Sequence, residues 1–207
     1  MNENDTVINT LEALEQIYGL PGETSTIKET QHLIPQYRAF IEASPFCLLA
    51  TCGPEGLDCS PRGDKTGFVK TVDDQTLHLP DRRGNNRIDS LRNIVRDPRV
   101  ALCCLIPGSR NALRINGLAH ISVDPKILND FSVEGKEPRS VIVIKTQAVY
   151  FQCGRAIVRS RLWDEETKID PNSLPTPGDV LATLSNERVG GKSYDEEWES
   201  RAQKTLW

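Results

Sequence analysis

Residues 79–94 read LPDRRGNNRIDSLRNI. The segment leaves a strand at Leu79-Pro80, turns through Gly84 and two asparagines, and enters a helix that places Ile88, Leu91 and Val95 on one face. Asp97-Pro98 ends that helix, which is expected over 86–96. Asn86 reads as its N-cap, and Asp89, three residues on, as the acidic half of a capping box. A helix N-terminus offers unpaired N–H groups and a partial positive charge. Arg82, Arg83 and Arg87 crowd the same end, and arginine presents a planar fork that matches phosphate oxygens. The segment therefore reads either as an anion site at a strand-to-helix turn or as a solvated basic face.

Outward from this turn the pattern is that of strands. Upstream, Phe46–Thr51 and Leu57–Arg62 flank the turn Gly53-Pro54-Glu55-Gly56, and Phe68–Val72 and Thr76–Leu79 flank Asp73-Asp74-Gln75. Downstream, Val100–Ile106 is an apolar run broken by Pro107-Gly108. Ala112–Val123 alternates, and Ser140–Gln152 (SVIVIKTQAVYFQ) is long and β-branched. The expected fold is mainly β (α+β), with about six antiparallel strands closed into a barrel and helices on its flanks. Helices are expected over 5–18, where Val7, Ile8, Leu11, Leu14, Ile17 and Tyr18 keep helical spacing, over 33–43 with Pro35 in the first turn, and over 124–132. Three regions follow: N-terminal helices over 1–45 that pack on the barrel, the barrel itself over 46–164, and an arm over 165–207. Prolines at 171, 175 and 177 open the arm, which holds one or two short helices within 178–206.

Composition narrows the function classes. The 207 residues suit one well-buried domain. A hydrophobic share of 38% and a charged share of 26% are those of a globular protein. The formal charge of −4 and a pI near 5.5 lack the basic footprint of a nucleic-acid binder. No apolar run approaches the length of a membrane span. The polar, acidic start MNENDTVINT has no secretory pattern, so a cytoplasmic protein is expected. The six cysteines show no CxxC spacing and the three histidines are scattered, so no metal site is expected and the thiols read as reduced and mostly buried.

Two further basic segments stand out. Cys59-Ser-Pro-Arg-Gly-Asp-Lys65 follows a strand, so Ser60, Arg62 and Lys65 reach an anion at the barrel rim or, alternatively, Arg62 pairs with Asp64 in a plain turn. Arg155-Ala-Ile-Val-Arg-Ser-Arg-Leu-Trp163 follows the last strand. It reads as a clamp of Arg155, Arg159, Arg161 and Trp163 on an aromatic anion, or as a surface helix with Trp163 packed on the barrel.

The order of these pieces resembles the pyridoxamine 5′-phosphate oxidase-like FMN-binding split barrels, within them the subgroup of PPOX-class probable FMN-dependent enzymes. The matching stretches are ATCGPEGLDCSPRGD (50–64), LPDRRGNNRIDSLRNI (79–94), RINGLAHIS (114–122) and RSRLWD (159–164). The resemblance implies bound FMN. Arg62 and Lys65, with Ser60 beside them, would hold its phosphate. Leu79 and Pro80 would line the ribityl chain and ring, and Asn86, Arg87 and Ser90 would meet the phosphate at the helix start, with Arg83 the alternative to Arg87. The resemblance also implies a homodimer in which the partner subunit completes the site, and Gln152, Arg159 and Trp163 are the candidates for that contribution. True pyridoxamine-phosphate oxidases carry an Arg-x-His for their substrate, where this chain has Arg159-Ser-Arg161. The resemblance thus carries no expectation of vitamin B6 phosphate oxidation. The tail, 165–207, is outside it.

The leading functional expectation is an FMN-dependent oxidoreductase acting on a small-molecule substrate, with an electron donor such as NAD(P)H; no catalytic acid–base pair is identifiable. The alternative is a carrier or sensor that holds a flavin, a deazaflavin or haem without turnover. Neither a nucleic-acid partner nor a membrane is expected.

Overall fold

The structure, a computed structural model, describes residues 6–206. Its centre is one antiparallel sheet of seven strands: β1 (Phe46–Gly53), β2 (Gly56–Gly63), β3 (Lys70–Thr71), β4 (Thr76–Asp81), β5 (Arg99–Leu105), β6 (Ala112–Ser122) and β7 (Ser140–Gln152). Their spatial order is β2-β1-β5-β6-β7-β4-β3. Each of the seven expected segments forms a strand, one more than the expected barrel count; the segment at Phe68–Val72 shrinks to the two-residue β3, because Phe68 and Val69 turn into the core.

Alternation decides what faces inward. In β1, Cys47, Leu49 and Thr51 are buried while their neighbours are half-exposed, the period of two that a pleated strand imposes. Cys47 and Leu49 join Leu77, Leu79, Leu102, Leu113, Ile115, Ile142 and Ile144 in one core drawn from both ends of the strand order. The sheet therefore curls on itself. Its β2 edge approaches β4, yet the two share no ladder. Side chains bridge the seam instead: Arg62 on β2 pairs with Asp81 on β4 at 2.5 Å, and Asp64, just past β2, pairs with Arg82 at 2.9 Å. This is the split of the barrel.

Nine helices surround the sheet among the described residues: α1 (Leu11–Tyr18), α2 (Glu23–Thr26), α3 (Pro35–Ala43), α4 (Asp89–Arg96), α5 (Pro125–Asn129), α6 (Arg155–Ser160), α7 (Pro177–Ser185), α8 (Lys192–Glu196) and α9 (Trp198–Thr205). Pro35 opens α3, which buries Tyr37 and Ile41 against the barrel; each such burial contributes about 1.5–3 kcal/mol. The amphipathic α1 buries no residue; residue 5, the expected start of that helix, lies outside the described residues. The arm holds three helices, one more than its sequence pattern allowed for.

The helix expected from residue 86 starts at Asp89. Asn86 and Ile88 both adopt positive φ, 62° and 54°, so the chain cannot enter the helix before Asp89. Asn86 therefore caps nothing, and the residue at the cap position, Ile88, has no side chain able to do so.

Candidate functional site

The seam opens into a cavity of about 610 Å³. Three elements build its walls: the second half of β2, the end of β4 with the loop 82–88, and the first turn of α4. On β2, Asp58, Ser60 and Arg62 share one half-buried face while Leu57, Cys59 and Pro61 face out. On α4, Ser90 is buried and its hydroxyl donates to Asp58 at 2.5 Å. Asn93, one turn on, donates to Thr51 at 3.1 Å and anchors α4 to β1. Gly53 permits this docking, since a Cβ there would stand 2.3 Å from Asn93 Oδ1.

The electrostatics of the cavity are mixed. Four carboxylates line it, but each is engaged: Asp58 by Ser90, and Asp81, Asp64 and Asp89 by Arg62, Arg82 and Arg87. Three features remain unsatisfied. Arg62 Nε is buried without a hydrogen-bond partner. The first turn of α4 has no side-chain cap on its N–H groups, the ordinary condition of a helix end that receives an anion. Arg83 and Arg139 line the cavity with no carboxylate partner among the described residues. A buried donor left unpaired costs roughly 1–3 kcal/mol. Ile88, a β-branched residue held at φ 54° directly before α4, adds backbone strain at the same place.

The expected residues divide into three groups. Ser60, Arg62, Pro80, Arg83, Asn86, Arg87 and Ser90 all line the cavity. Among them, Asn86 Oδ1 accepts from Arg139 at 2.7 Å, and Arg87, well exposed, is tied to Asp89 at 2.8 Å. Lys65 and Leu79 do not line it. Leu79 is fully buried in the core, because β4 alternates and Leu79 takes the inward position beside Leu77. Lys65 lies past the end of β2 and lines a neighbouring cavity instead. The simple turn pairing of Arg62 with Asp64 is replaced by the crossed pairs Arg62–Asp81 and Arg82–Asp64.

Gln152, Arg159 and Trp163 lie at the far end of the barrel. Ser140, at the cavity, and Gln152 are the first and last residues of the 13-residue β7, which at about 3.3 Å per residue spans roughly 40 Å. Trp163 Nε1 donates to the Ser109 carbonyl at 2.7 Å, and Arg161 is held by Asp164 and Glu166. Sequence reasoning passed over Asp81 and Arg139; the one adjoins the arginine pair of the basic turn and the other directly precedes β7, and those positions were the available signal.

Of the six cysteines, Cys47 and Cys104 are buried, Cys52 and Cys103 half-buried, and Cys59 and Cys153 exposed. No group of His, Cys, Asp or Glu able to hold a metal occurs among the described residues. None of their helices is long and apolar enough to cross a membrane.

Fold and site together define an antiparallel split-barrel protein with an arginine-rich cavity at the seam. The chain belongs to the pyridoxamine 5′-phosphate oxidase family, whose model matches residues 33–153. No curated protein matches it. Among solved structures it is similar to HupZ from Group A Streptococcus, at 18% identity and a TM-score of 0.45 over 56% of this chain and 91% of that one. It is also similar to General Stress Protein 26 of Bacillus anthracis, at 18% identity and a TM-score of 0.42 over 55% and 88%. An FMN-binding protein from Syntrophomonas wolfei aligns at 12% identity and a TM-score of 0.44 over 69% and 97%.

Proposed function

We propose that this chain is a cytoplasmic FMN-dependent oxidoreductase that works as a homodimer on a small-molecule substrate, with the flavin phosphate held in the seam cavity. One observation carries the reading: the buried, unpartnered Nε of Arg62 at a cavity that also receives the uncapped start of α4. A phosphate accepts from both, and membership of a family named for a flavin-type oxidase supports FMN as its bearer. Arg62, Ser90 and the α4 amides would hold the phosphate, with Arg83 and Arg139 neutralising its charge. Pro80, next to the seam, would lie along the ribityl chain. Gln152, Arg159 and Trp163 would act from the partner subunit, since their own cavity is out of reach. Bound FMN would supply the hydride or electron transfer; the chain binds it, orients it and shields it from water.

The test is the visible spectrum of the purified protein before and after addition of FMN and desalting. Wild type should retain flavin. Arg62→Lys keeps the charge but loses the fork, and Arg62→Ala loses both. The alanine variant should bind FMN roughly 30- to 150-fold more weakly, the effect of a charged hydrogen bond of about 2–3 kcal/mol, with its circular dichroism unchanged. A wild-type protein that retains no flavin sinks the reading. Retained flavin that NADH and NADPH reduce no faster than free FMN would leave the carrier or sensor in place of the oxidoreductase.

A further inference from the structure

A second cavity, of about 1020 Å³, lies against the seam cavity and shares the loop wall Arg82–Asn85 with it. Its opposite wall is the C-terminal arm, beyond the part of the chain that the family model matches. Tyr194, Trp198 and Arg201 stand at i, i+4 and i+7 across the junction of α8 and α9, where Glu197 keeps helical backbone angles, so they share one face. Arg201 is held in place: its guanidinium lies 4.2 Å from the centre of the Tyr194 ring and donates to the Tyr194 carbonyl at 2.6 Å and to Glu197 at 3.1 Å. The arm is itself braced, with Asp195 accepting from the Gly178 amide at 2.9 Å and a capping box at the start of α7.

The cavity combines two kinds of surface. Tyr194, Trp198 and Leu206 supply an apolar, largely aromatic wall, and Trp198 is 60% exposed. Across from it, on the loop side, stand Lys65, Arg82 and Arg83, while Arg201 and Lys204 flank the rings on the arm itself; among the described lining residues the one carboxylate is Asp64, which is paired with Arg82. The chain as a whole is acidic, so this concentration of positive charge is local. An exposed indole opposite several cations selects a planar ring that carries several negative charges. The volume is at the upper end of the range for small-molecule sites, about 300–1,000 Å³.

We propose that the second cavity is a nucleoside-phosphate site, with the base stacked on Trp198 and the phosphates on Lys65 and Arg83. It adjoins the flavin site along the loop Arg82–Asn85, and Arg83 lines both cavities and stands between the two ligands. The proposal does not depend on which ligand occupies the seam cavity.

Calorimetry on the full chain tests it with three probes: AMP, adenosine and pyrophosphate. AMP should bind with a Kd below about 1 mM, and both adenosine, which lacks phosphate, and pyrophosphate, which lacks a ring, should bind at least tenfold more weakly than AMP, roughly the worth of one stacked base. Trp198→Ala should weaken AMP roughly tenfold and leave pyrophosphate unchanged, while Trp198→Phe should restore most of the loss. Lys65→Ala should weaken AMP and pyrophosphate together. Arg62→Ala should still bind AMP even where FMN is lost, which keeps failure at one site distinct from failure at the other. The proposal is overturned by no AMP binding, by AMP binding that Trp198→Ala leaves unchanged, or by a Trp198→Ala protein that loses FMN as well. A change of mass in light scattering on Trp198→Ala would equally overturn it, because a second copy of the chain would then cover the indole.

Discussion

His78 lies on β4, half-buried, and burial pushes its imidazole below its ordinary value of 6.5, with His120 and Lys70 acting the same way and Asp130 and Asp73 opposing. The folded protein therefore gives up this proton more readily than the unfolded chain does. Between the depressed value and 6.5 the unfolded state holds more protons, so stability rises with pH through that window and is lost as pH falls. Chemical denaturation midpoints measured from pH 5 to 7 should show that slope, and His78→Asn should flatten it. Cys153 is expected to be the most reactive thiol. The Arg155 amide donates to it and lowers its pKa, while a bond with Cys47, and then burial, raise Cys104 well above the usual range. Timed alkylation with peptide mapping should label Cys153 first and leave Cys47 and Cys104 to the unfolded protein. At this scale the sequence was informative where a rule of alternation applied. Ser60 and Arg62 share a face because they are two apart on a strand, and Ser90 falls within the first turn of α4. It misled where a residue's side of the strand mattered more than its neighbourhood: Leu79 adjoins the basic turn yet points into the core, and Lys65 is just beyond the strand that would have aimed it.

At the scale of elements, the junction of the loop with α4 and the bulge in β6 carry the most information. The register of β6 against β7 shifts between Asn116 and Gly117, and a Cβ on Gly117 would stand 2.4 Å from the Lys145 carbonyl oxygen. Backbone cannot yield there as a flexible side chain would. Gly117→Ala should therefore cost about 1–3 kcal/mol, the range for overpacking a core, read as a lower midpoint in urea with an unchanged slope. The strands themselves were legible because alternation and turn residues agree in this chain: Ser140–Gln152 is a strand from end to end, and Gly53 and Gly56 close the β1–β2 hairpin. The start of α4 was not. Apolar periodicity extends back to Ile88, and nothing in the residue types signals that an isoleucine will be held in the left-handed region. That conformation leaves the α4 amides without a cap, so the element that sequence reasoning placed wrongly is the one on which the phosphate proposal most depends.

At the scale of the whole molecule, the proposed assembly is tested by the distance along β7. A cavity at Ser140 and candidate contacts at Gln152, Arg159 and Trp163 lie roughly 40 Å apart along one chain, so they can serve one ligand only if two chains align their barrels in opposite directions about a two-fold axis. The protein should then be a dimer by light scattering, and Arg159→Ala or Trp163→Ala should weaken FMN binding although neither residue touches the cavity of its own chain. A complementation experiment separates this from indirect damage. Arg62→Ala disables a site from one side of the interface and Trp163→Ala from the other, so each pure variant has two impaired sites per dimer. When the two are unfolded together and refolded as an equal mixture, half of the dimers should be mixed, and each mixed dimer rebuilds one intact site while gathering both defects in the other. About a quarter of all sites should then regain wild-type affinity for FMN, visible as a tight phase in a flavin fluorescence titration that neither variant shows alone. If the mixture titrates as the average of its parents, Trp163 acts within its own chain and the flavin site belongs to one protomer.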